Sequence, residues 1–184
     1  GSINGSNEFV PGVTPTSFSS TPYGICVDSA DRLWVADASN HRVLRFDTPT
    51  VTGSAANAVL GQPNFTSNAI IDPPTATSME VPYNVTVAPD GTLWVSDYAN
   101  YRVLGFLDAA GKSNGAAADI VLGQPNFTAA TPPPYSARAA VNPSQIAIGR
   151  EGSLFIGEVG FGAHLKRWSD PVLINAPKSV TARG

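Results

Sequence analysis

The chain has 184 residues, of which 42% are hydrophobic and 14% are charged, with a formal net charge of −3 at pH 7. This length and apolar content are sufficient to bury a core. The weak negative charge, without a basic cluster, argues against nucleic acid or an anionic membrane as a partner, because phosphate neutralisation needs concentrated Lys and Arg. The single cysteine, Cys26, excludes an intrachain disulfide and a zinc site built on several cysteines.

Glycine and proline are both plentiful, with 17 and 16 residues. They indicate many turns and short strands, because each supplies backbone angles that turns need. No apolar run approaches the length of a membrane span. The leading Gly1-Ser2 resembles a remnant of expression, so a native signal peptide stays an open question. The low Lys content and the abundant Thr, Ser and Asn favour a secreted or periplasmic location.

Three segments of the chain repeat one pattern at intervals of 60 and 61 residues. They read "GICVDSADRLWVADASNHRVLRFD" from Gly24, "NVTVAPDGTLWVSDYANYRVLGFL" from Asn84 and "QIAIGREGSLFIGEVGFGAHLKRW" from Gln145. A second element, "AVLGQPNFTS" from Ala58, returns as "IVLGQPNFTA" from Ile120. Repeats of this length predict an array of similar supersecondary units.

Each unit predicts antiparallel strands that are joined by tight turns. In the first strand of unit one, Ile25 and Val27 alternate with the small Cys26, which is the period of a strand. Asp90-Gly91 in unit two is a strong signal for the hairpin that leads into the second strand. The later predicted strands are 33–37, 43–46 and 58–61 in unit one, 93–97, 103–106 and 120–123 in unit two, and 154–158 and 165–168 in unit three. Crossovers rich in Pro, Thr and Ala follow at 63–82 and 125–143.

A four-stranded sheet that is apolar on both faces is not stable alone and must stack on copies of itself. Radial stacking of such sheets is the β-propeller. The chain is therefore predicted to be all-β, a single propeller segment over 1–184 with three four-stranded antiparallel blades. We place blade 1 at about 22–62, blade 2 at about 82–123 and blade 3 at about 143–184, with an outer strand that residues 3–9 can share.

Units one and two resemble the NHL repeat, which is a propeller blade. The resemblance rests on the preceding Pro-Tyr pairs and on "LWVADASNHRV" and "LWVSDYANYRV", which keep a D-x-x-N-x-R spacing. The "VLGQPNF" element is similar to the extended repeats of bacterial NHL-containing proteins. Unit three departs, because Glu158 is followed by "VGFGAH", in which the Asn and Arg are lost and one residue is added. The resemblance implies the propeller fold but no particular activity, because propellers include both enzymes and binding platforms.

Three blades would leave two apolar sheet faces and open edges, which favour association. NHL-like rings usually have six blades, and the chain begins and ends in phase with its repeat. We therefore expect two chains to associate head to tail as a homodimer that closes a six-bladed ring. The alternative is that the chain is a part of a longer propeller.

The repeated trio, which is Asp37, Asn40 and Arg42 in unit one, is the first candidate for chemistry. In a structural interpretation the carboxylate accepts N–H groups of the turn, the Asn adopts left-handed backbone angles, and the Arg pairs with the Asp. Trios on different blades cannot converge on one point. We therefore prefer this interpretation to a metal or acid–base role.

Six other side chains are candidates for a chemical role, namely His41, His164, Asp28, Asp31, Asp90 and Cys26. The two histidines would need partners from other blades to hold a metal or to act as a general base. The three aspartates lie at the first hairpin turns, where ordinary turn chemistry is favoured over calcium binding. The cysteine lies within a strand, which favours a buried small side chain over a nucleophile.

The predicted ligand site lies where the innermost strands start, at one rim of the central channel. It consists of Tyr23, Tyr83, Asn84 and Gln145, with Gly24 and Ser144 beside them. Aromatic and amide groups in this arrangement can hold a sugar, a peptide or a small polar ligand. Simple packing of the rim is the alternative.

The sequence favours a non-catalytic propeller module for binding and assembly, without a catalytic residue, metal or cofactor. Its expected partners are a second copy or the rest of a longer propeller, and a protein or carbohydrate ligand. The alternative is a propeller enzyme of the lyase or lactone-hydrolase type, a class that resembles this fold and places a divalent metal in the channel. Only Asn84, Gln145 and Asp28 are polar candidates on the innermost strands. A fragment made for the study of propeller assembly is a third alternative.

Overall fold

The computed structural model of the chain describes residues 2–3, 9–10, 13–18, 22–49, 53–132, 142–159 and 165–169. Within them the chain is almost entirely strand and turn. The strands are β1 (Ser2–Ile3), β2 (Phe9–Val10), β3 (Pro22–Val27), β4 (Leu33–Asp37), β5 (Arg42–Phe46), β6 (Ala58–Leu60), β7 (Pro82–Val87), β8 (Leu93–Asp97), β9 (Arg102–Phe106), β10 (Ile120–Leu122), β11 (Pro143–Ile148), β12 (Leu154–Glu158) and β13 (Leu165–Trp168). Two short 3-10 turns occupy Ala38–Asn40 and Ala109–Gly111.

The strands form propeller blades, which confirms the predicted fold class. Strands β3-β4-β5-β6 make the antiparallel sheet of blade 1, and β7-β8-β9-β10 make that of blade 2. Strands β11-β12-β13 form three strands of blade 3, and the end of the range predicted for this blade, at 170–184, lies outside the described residues. Strands β1 and β2 pair with each other. The blade boundaries and the sharing of residues 3–9 stay predictions.

The first hairpin of every blade turns at a residue with left-handed backbone angles. These residues are Asp31 (φ 58°), Gly91 (φ 84°) and Gly152 (φ 76°). Each donates its N–H to the carbonyl three residues earlier. Glycine adopts this conformation without steric cost, and Asp is among the few other residues that tolerate it. The same turn geometry in three blades fixes the register in which their first two strands pair.

The blades stack through side chains that alternate between the two faces of each sheet. We call the face toward the preceding blade the leading face, and the face toward the following blade the trailing face. The trailing face of blade 1 and the leading face of blade 2 share a buried cluster of Trp34, Ala36, Val43, Leu60, Val85, Leu93, Val95, Leu104, Phe106 and Val121. The trailing face of blade 2 and the leading face of blade 3 share Trp94, Val103, Ile120, Leu122, Ile146, Leu154, Ile156 and Trp168. Each buried tryptophan removes roughly 150–250 Å² of its surface from contact with water. Trp34 in the first cluster and Trp94 and Trp168 in the second therefore contribute strongly to the stacking of the blades.

The Asp-x-x-Asn-x-Arg trio is buried in both of the first two blades. The Arg42 Nε atom lies 2.7 Å from Asp37 Oδ2, and both side chains are fully buried. Asn40 donates its side-chain amide to the same carboxylate oxygen at 2.9 Å. Blade 2 repeats the ion pair between Arg102 and Asp97 at 2.7 Å. The trio is therefore a structural element of the blade, as the sequence predicted.

The arginine of each trio also holds the segments before and after its blade. Arg102 Nη2 donates to the carbonyls of Thr75 (3.1 Å) and Ser78 (2.9 Å), and its Nη1 donates to the carbonyl of Phe127. Arg42 repeats these bonds with the carbonyls of Thr14, Ser17 and Phe65. Each guanidinium thus joins the middle hairpin, the preceding crossover and the loop after the fourth strand. We call this arrangement the arginine clamp.

One detail of the predicted turn is wrong. The left-handed residues are His41 and Tyr101, each with φ 54°, and not the asparagines that precede them. Asn40 lies within the 3-10 turn, where its side chain reaches back to the carboxylate of Asp37. The chain reverses one residue later, so the left-handed angle falls there.

In the described part of blade 3, the acidic residue that ends the second strand pairs with a lysine. Lys166 Nζ lies 2.7 Å from Glu158 Oε1, and both side chains are largely buried. Glu158 ends β12, as Asp37 and Asp97 end β4 and β8. The altered turn that the sequence predicts at 159–164 lies almost wholly outside the described residues. A lysine is a point charge without the planar fork of arginine, so the two ion pairs differ in geometry.

Substitution of Arg102 by Met is expected to lower the free energy of unfolding by about 3–5 kcal/mol. The reason is that Asp97 and the three backbone carbonyls would stay buried without their donor. Urea denaturation of the purified variant measures this loss. Arg102→Lys should restore only part of it, because the charge is kept and the fork is lost.

The matched control is Lys112→Met, which removes the partly exposed ion pair between Lys112 and Asp119. Its expected cost is below about 1 kcal/mol. Equal and small losses in the two variants would contradict the clamp as a principal stabilising element.

Candidate functional site at the rim of the inner strands

The innermost strands of neighbouring blades lie side by side at their starting ends. A Cβ atom at Gly24 would lie 2.5 Å from the Cα atom of Asn84, so only glycine allows this approach of β3 to β7. The corresponding position of blade 2 is Asn84 itself, whose side-chain Nδ2 donates to Gln145 Oε1 at 2.9 Å. The starts of β3, β7 and β11 are thus in direct contact, and they carry the predicted site.

Tyrosine rings form a stack on this rim. The ring centroids of Tyr23 and Tyr83 are 4.2 Å apart with an angle of 13° between the planes. Tyr98 follows at 4.7 Å from Tyr83, tilted by 32°. A hydrogen bond with Tyr23, together with loss of hydration, raises the pKa of Tyr83, so its phenol is neutral near pH 7. The outer ring, Tyr23, is 49% exposed, which leaves an aromatic face open to solvent.

The four predicted rim residues therefore meet as two pairs, one aromatic and one of carboxamides. Tyr83 and Asn84 are adjacent on β7, so this strand connects the pairs. Each carboxamide carries both donors and an acceptor. A pair that shares one hydrogen bond keeps further polar capacity for a bound molecule.

Tyr98 belongs to the rim and was missed by the sequence reasoning. It follows β8 at the position where unit one carries Ala38. The only signal is an aromatic residue at a position that differs between two otherwise similar repeats. That signal indicates a feature of one blade, but it does not indicate which neighbour the ring contacts.

The aspartates of the first hairpin turns serve those turns. Asp28 Oδ1 accepts the N–H groups of Ala30 and Arg32 at 2.9 and 3.1 Å, and Oδ2 accepts Arg32 Nε at 2.8 Å and Trp34 Nε1 at 3.0 Å. Desolvation acts to raise the pKa of Asp28, but these hydrogen bonds outweigh it and lower the pKa to about 2. Asp90 accepts the N–H of Thr92 at 2.9 Å. Both carboxylates have the turn role that the sequence favoured.

Cys26 has the environment of an unreactive thiol. It packs against the buried cluster between blades 1 and 2. Burial, followed by the charge of Asp28, raises the pKa of the Cys26 thiol to about 12. Since the thiolate is the nucleophile, this side chain contributes packing rather than chemistry.

His41 lies at the junction of blades 1 and 2, against Val81, which precedes the first residue of β7. Its Nδ1 atom accepts the N–H of Val81 at 3.2 Å, so this nitrogen carries no proton. Burial lowers the pKa of His41, and the nearby carboxylates of Glu80, Asp97 and Asp37 oppose the shift without reversing it. His164 lies outside the described residues.

In the described part of the chain, no three His, Cys, Asp or Glu residues are grouped closely enough to hold a metal ion. Among the same residues, no helix has the length and apolar character needed to cross a membrane.

Substitution of His41 by Tyr, the residue that blade 2 carries at this position, should flatten the dependence of stability on pH. A folded-state pKa below that of the unfolded chain means that the neutral ring stabilises the fold. This contribution is complete above about pH 6.5 and is lost as the pH falls toward the folded-state pKa. The melting temperature of His41→Tyr should therefore fall less than that of the parent between pH 7.5 and 5.5.

The reciprocal variant Tyr101→His is the control, since it places a second histidine in the same turn of blade 2. It should steepen the same dependence. Identical slopes for the parent and His41→Tyr would show that His41 titrates alike in the folded and unfolded chains.

The family model of the NHL repeat matches residues 20–46. The chain carries an NHL repeat. This repeat contains the first three strands of blade 1 and the Asp37–Arg42 ion pair, and the match confirms the family resemblance predicted from the sequence.

Two solved structures are similar to most of this chain. One is selenomethionine-substituted virginiamycin B lyase from Staphylococcus aureus, with 18% identity and a TM-score of 0.47 over 92% of this chain and 47% of that chain. The other is a streptogramin B lyase, with 18% identity and a TM-score of 0.44 over 83% of this chain and 41% of that chain. This chain thus spans less than half the length of either protein. The comparison with curated proteins found no match.

Proposed function

We propose that the chain is a non-catalytic NHL-repeat propeller module that assembles with a second copy of itself and binds a ligand at its rim. The observation that carries the proposal is an apolar strand left open at the start of the array. Ile25 and Val27 on β3 are 68% and 60% exposed. The corresponding Val85 of blade 2 is 2% exposed, because blade 1 covers it.

An open strand of this kind favours a partner. Exposed β-branched side chains on the innermost strand of a blade have the composition of a buried surface. A second copy, joined head to tail, would supply a trailing face for β3 and close a ring of six blades. The next blade of a longer propeller would cover the same strand, so the oligomeric state separates the two possibilities.

The polar groups of the repeat support a non-catalytic role. The buried Asp, Asn and Arg side chains are engaged in the arginine clamp, and Asp28 is engaged in its turn. Cys26 is held as a thiol by its raised pKa. These groups are bound to structural partners, so catalysis would have to break bonds that hold the blades.

The rim supports a ligand with both an apolar face and hydroxyl groups. The open ring of the tyrosine stack offers a flat apolar surface, and the Asn84–Gln145 pair offers hydrogen-bonding groups beside it. A sugar ring matches this combination, since it presents C–H groups on one face and hydroxyls at its edge. We therefore propose a carbohydrate as the ligand class.

Light scattering coupled to size-exclusion chromatography tests the assembly. The expected mass is twice the 19.1 kDa of the chain. A clean 19.1 kDa monomer across the accessible concentrations would overturn the assembly part of the proposal. Elemental analysis of the same sample is informative, because a stoichiometric tightly bound divalent metal would favour the enzyme alternative.

Saturation-transfer NMR with methyl glycosides of glucose, galactose, mannose and N-acetylglucosamine tests the rim. At least one of these sugars should receive saturation from the parent protein, and Tyr83→Ala should abolish the transfer, because the stack loses its central ring. Tyr101→His is the matched control, since it replaces a tyrosine outside the stack with the residue of unit one. Transfer that survives in Tyr83→Ala, or is absent in the parent, would contradict the rim proposal.

A further inference from the structure

The stacking of the described blades follows one path through the array. Strand β4 of blade 1 lies against β7 of blade 2, and β8 of blade 2 lies against β11 of blade 3. In each case the second strand of one blade contacts the first strand of the next. Continuation of the path requires a first strand for β12 to contact, and it requires a second strand to cover β3.

The residues at the two ends match this requirement. The trailing face of blade 3 is formed by residues 145, 147, 155, 157, 165 and 167. On that face Leu165 is 75% exposed and Ala147 is exposed, while Phe155 occupies the position of Trp34 and Trp94. The leading face of blade 1 presents its uncovered apolar side chains on β3, and not on its outer strands. The open surface is therefore located where the stacking path would continue.

A cation–aromatic pair on blade 1 shows how one blade attaches to the next. The guanidinium of Arg45 lies 5.7 Å from the ring centroid of Trp34. Its Nη1 atom donates to the carbonyl of Ala110, in the loop between the third and fourth strands of blade 2. Arg45 thus packs on its own tryptophan and also binds the backbone of the neighbouring blade.

Blade 3 repeats this pair on its trailing face, where the described residues contain no further blade. The guanidinium of Arg167 lies 6.0 Å from the ring of Phe155. It donates to Ser153 Oγ, and its ion pair with Glu151 is long at 3.4 Å, with both side chains more than half exposed. Such an exposed ion pair contributes little, so a change of partner on docking is inexpensive.

The arginine is not required by blade stacking as such. Blade 2 carries Gly105 at this position, where a Cβ atom would lie 2.8 Å from the ring of Trp94. The aromatic–arginine pair therefore occurs on blades 1 and 3 only. On blade 1 this pair contacts the neighbouring blade, so the pair on blade 3 is a candidate for the same kind of contact.

We propose that Phe155 and Arg167 of one chain dock on Ile25 and Val27 of a second copy, as Trp34 and Arg45 dock blade 1 on blade 2. Arg167 then contacts blade 1 of that copy, as Arg45 contacts blade 2. The same contact forms a second time with the roles of the copies exchanged, and the two contacts close the ring. This inference rests on the proposed self-association and specifies the surfaces that carry it.

Engineered cysteines test the predicted neighbours. Cys26 of blade 1 is hydrogen-bonded to the backbone of Val87 in blade 2. The corresponding positions across the proposed interface are Ala147 of one chain and Val27 of the other. The variant Cys26→Ala, Val27→Cys, Ala147→Cys should give a covalent dimer with a short bismaleimide, seen by denaturing electrophoresis.

The matched control replaces Val27→Cys by Ile70→Cys in the same background. Ile70 is 54% exposed and lies in the crossover between blades 1 and 2, outside the strands that form the two end faces. The variant Cys26→Ala, Ile70→Cys, Ala147→Cys should therefore migrate as a monomer on the denaturing gel. A ladder of larger products from the test variant would overturn ring closure in favour of an open polymer, and absence of a covalent dimer would overturn the proposed contact.

A second measurement compares Ile25→Asp with Ile70→Asp by light scattering over a dilution series. Both side chains are exposed in the single chain, so each variant should fold, which circular dichroism and the melting temperature check. Ile25→Asp should raise the dimer dissociation constant on the order of 100-fold or more, because it buries an unpaired charge. Ile70→Asp should leave the constant unchanged, and Arg167→Ala should raise it about tenfold.

The outcomes separate the two levels of the proposal. A monomeric parent protein would overturn self-association itself, and the docking proposal with it. A dimeric parent whose affinity is unaffected by Ile25→Asp would overturn only the assigned surfaces, since the chains would then meet elsewhere.

Discussion

The arginine clamp is the interaction on which blades 1 and 2 depend. One guanidinium binds the buried carboxylate at the end of the second strand and three backbone carbonyls from two other segments. An isolated buried ion pair gains little, because desolvation offsets its attraction. Here the carbonyls satisfy the remaining donors, and Asn100 and the N–H of Glu80 satisfy the carboxylate. The clamp therefore fixes the crossover that places Met79 within the core shared by the first two blades.

Much of this fold could be predicted because side-chain character alternates along its strands with a period of two residues. The bounds of β4, β8 and β12 agree with prediction at every residue, since each follows a tight turn and ends at an acidic side chain. The partners of Arg42 could not be predicted, because a backbone carbonyl has no signature in sequence. The same holds for Tyr98, whose contact with Tyr83 lies within blade 2, because the direction of a side chain in the turn after β8 does not follow from the period of the strands. Sequence thus indicates which residues are unusual, and packing determines what they contact.

The rim and the proposed interface share a strand. Tyr23 lies on β3, two residues before Ile25 and four before Val27. Gln145 at the rim shares the trailing face of blade 3 with Phe155 and the exposed Leu165. In the proposed ring these elements border one another, so docking of a second copy would enclose the rim on both sides. The two proposals are therefore linked by geometry, although each has its own test.

The ion pair of Glu158 and Lys166 distinguishes blade 3 from blades 1 and 2, which have an Asp–Arg pair instead. Blades 1 and 2 are so similar that a segment of one could fold in the place of the other, an error to which repeat proteins are prone. A chain that slipped by one blade would put the Glu158–Lys166 pair in a blade whose flanking segments are built for a clamp, and it would put Arg102 opposite the wrong loop. The irregular unit therefore makes such a slipped arrangement less favourable than the regular stacking of the blades.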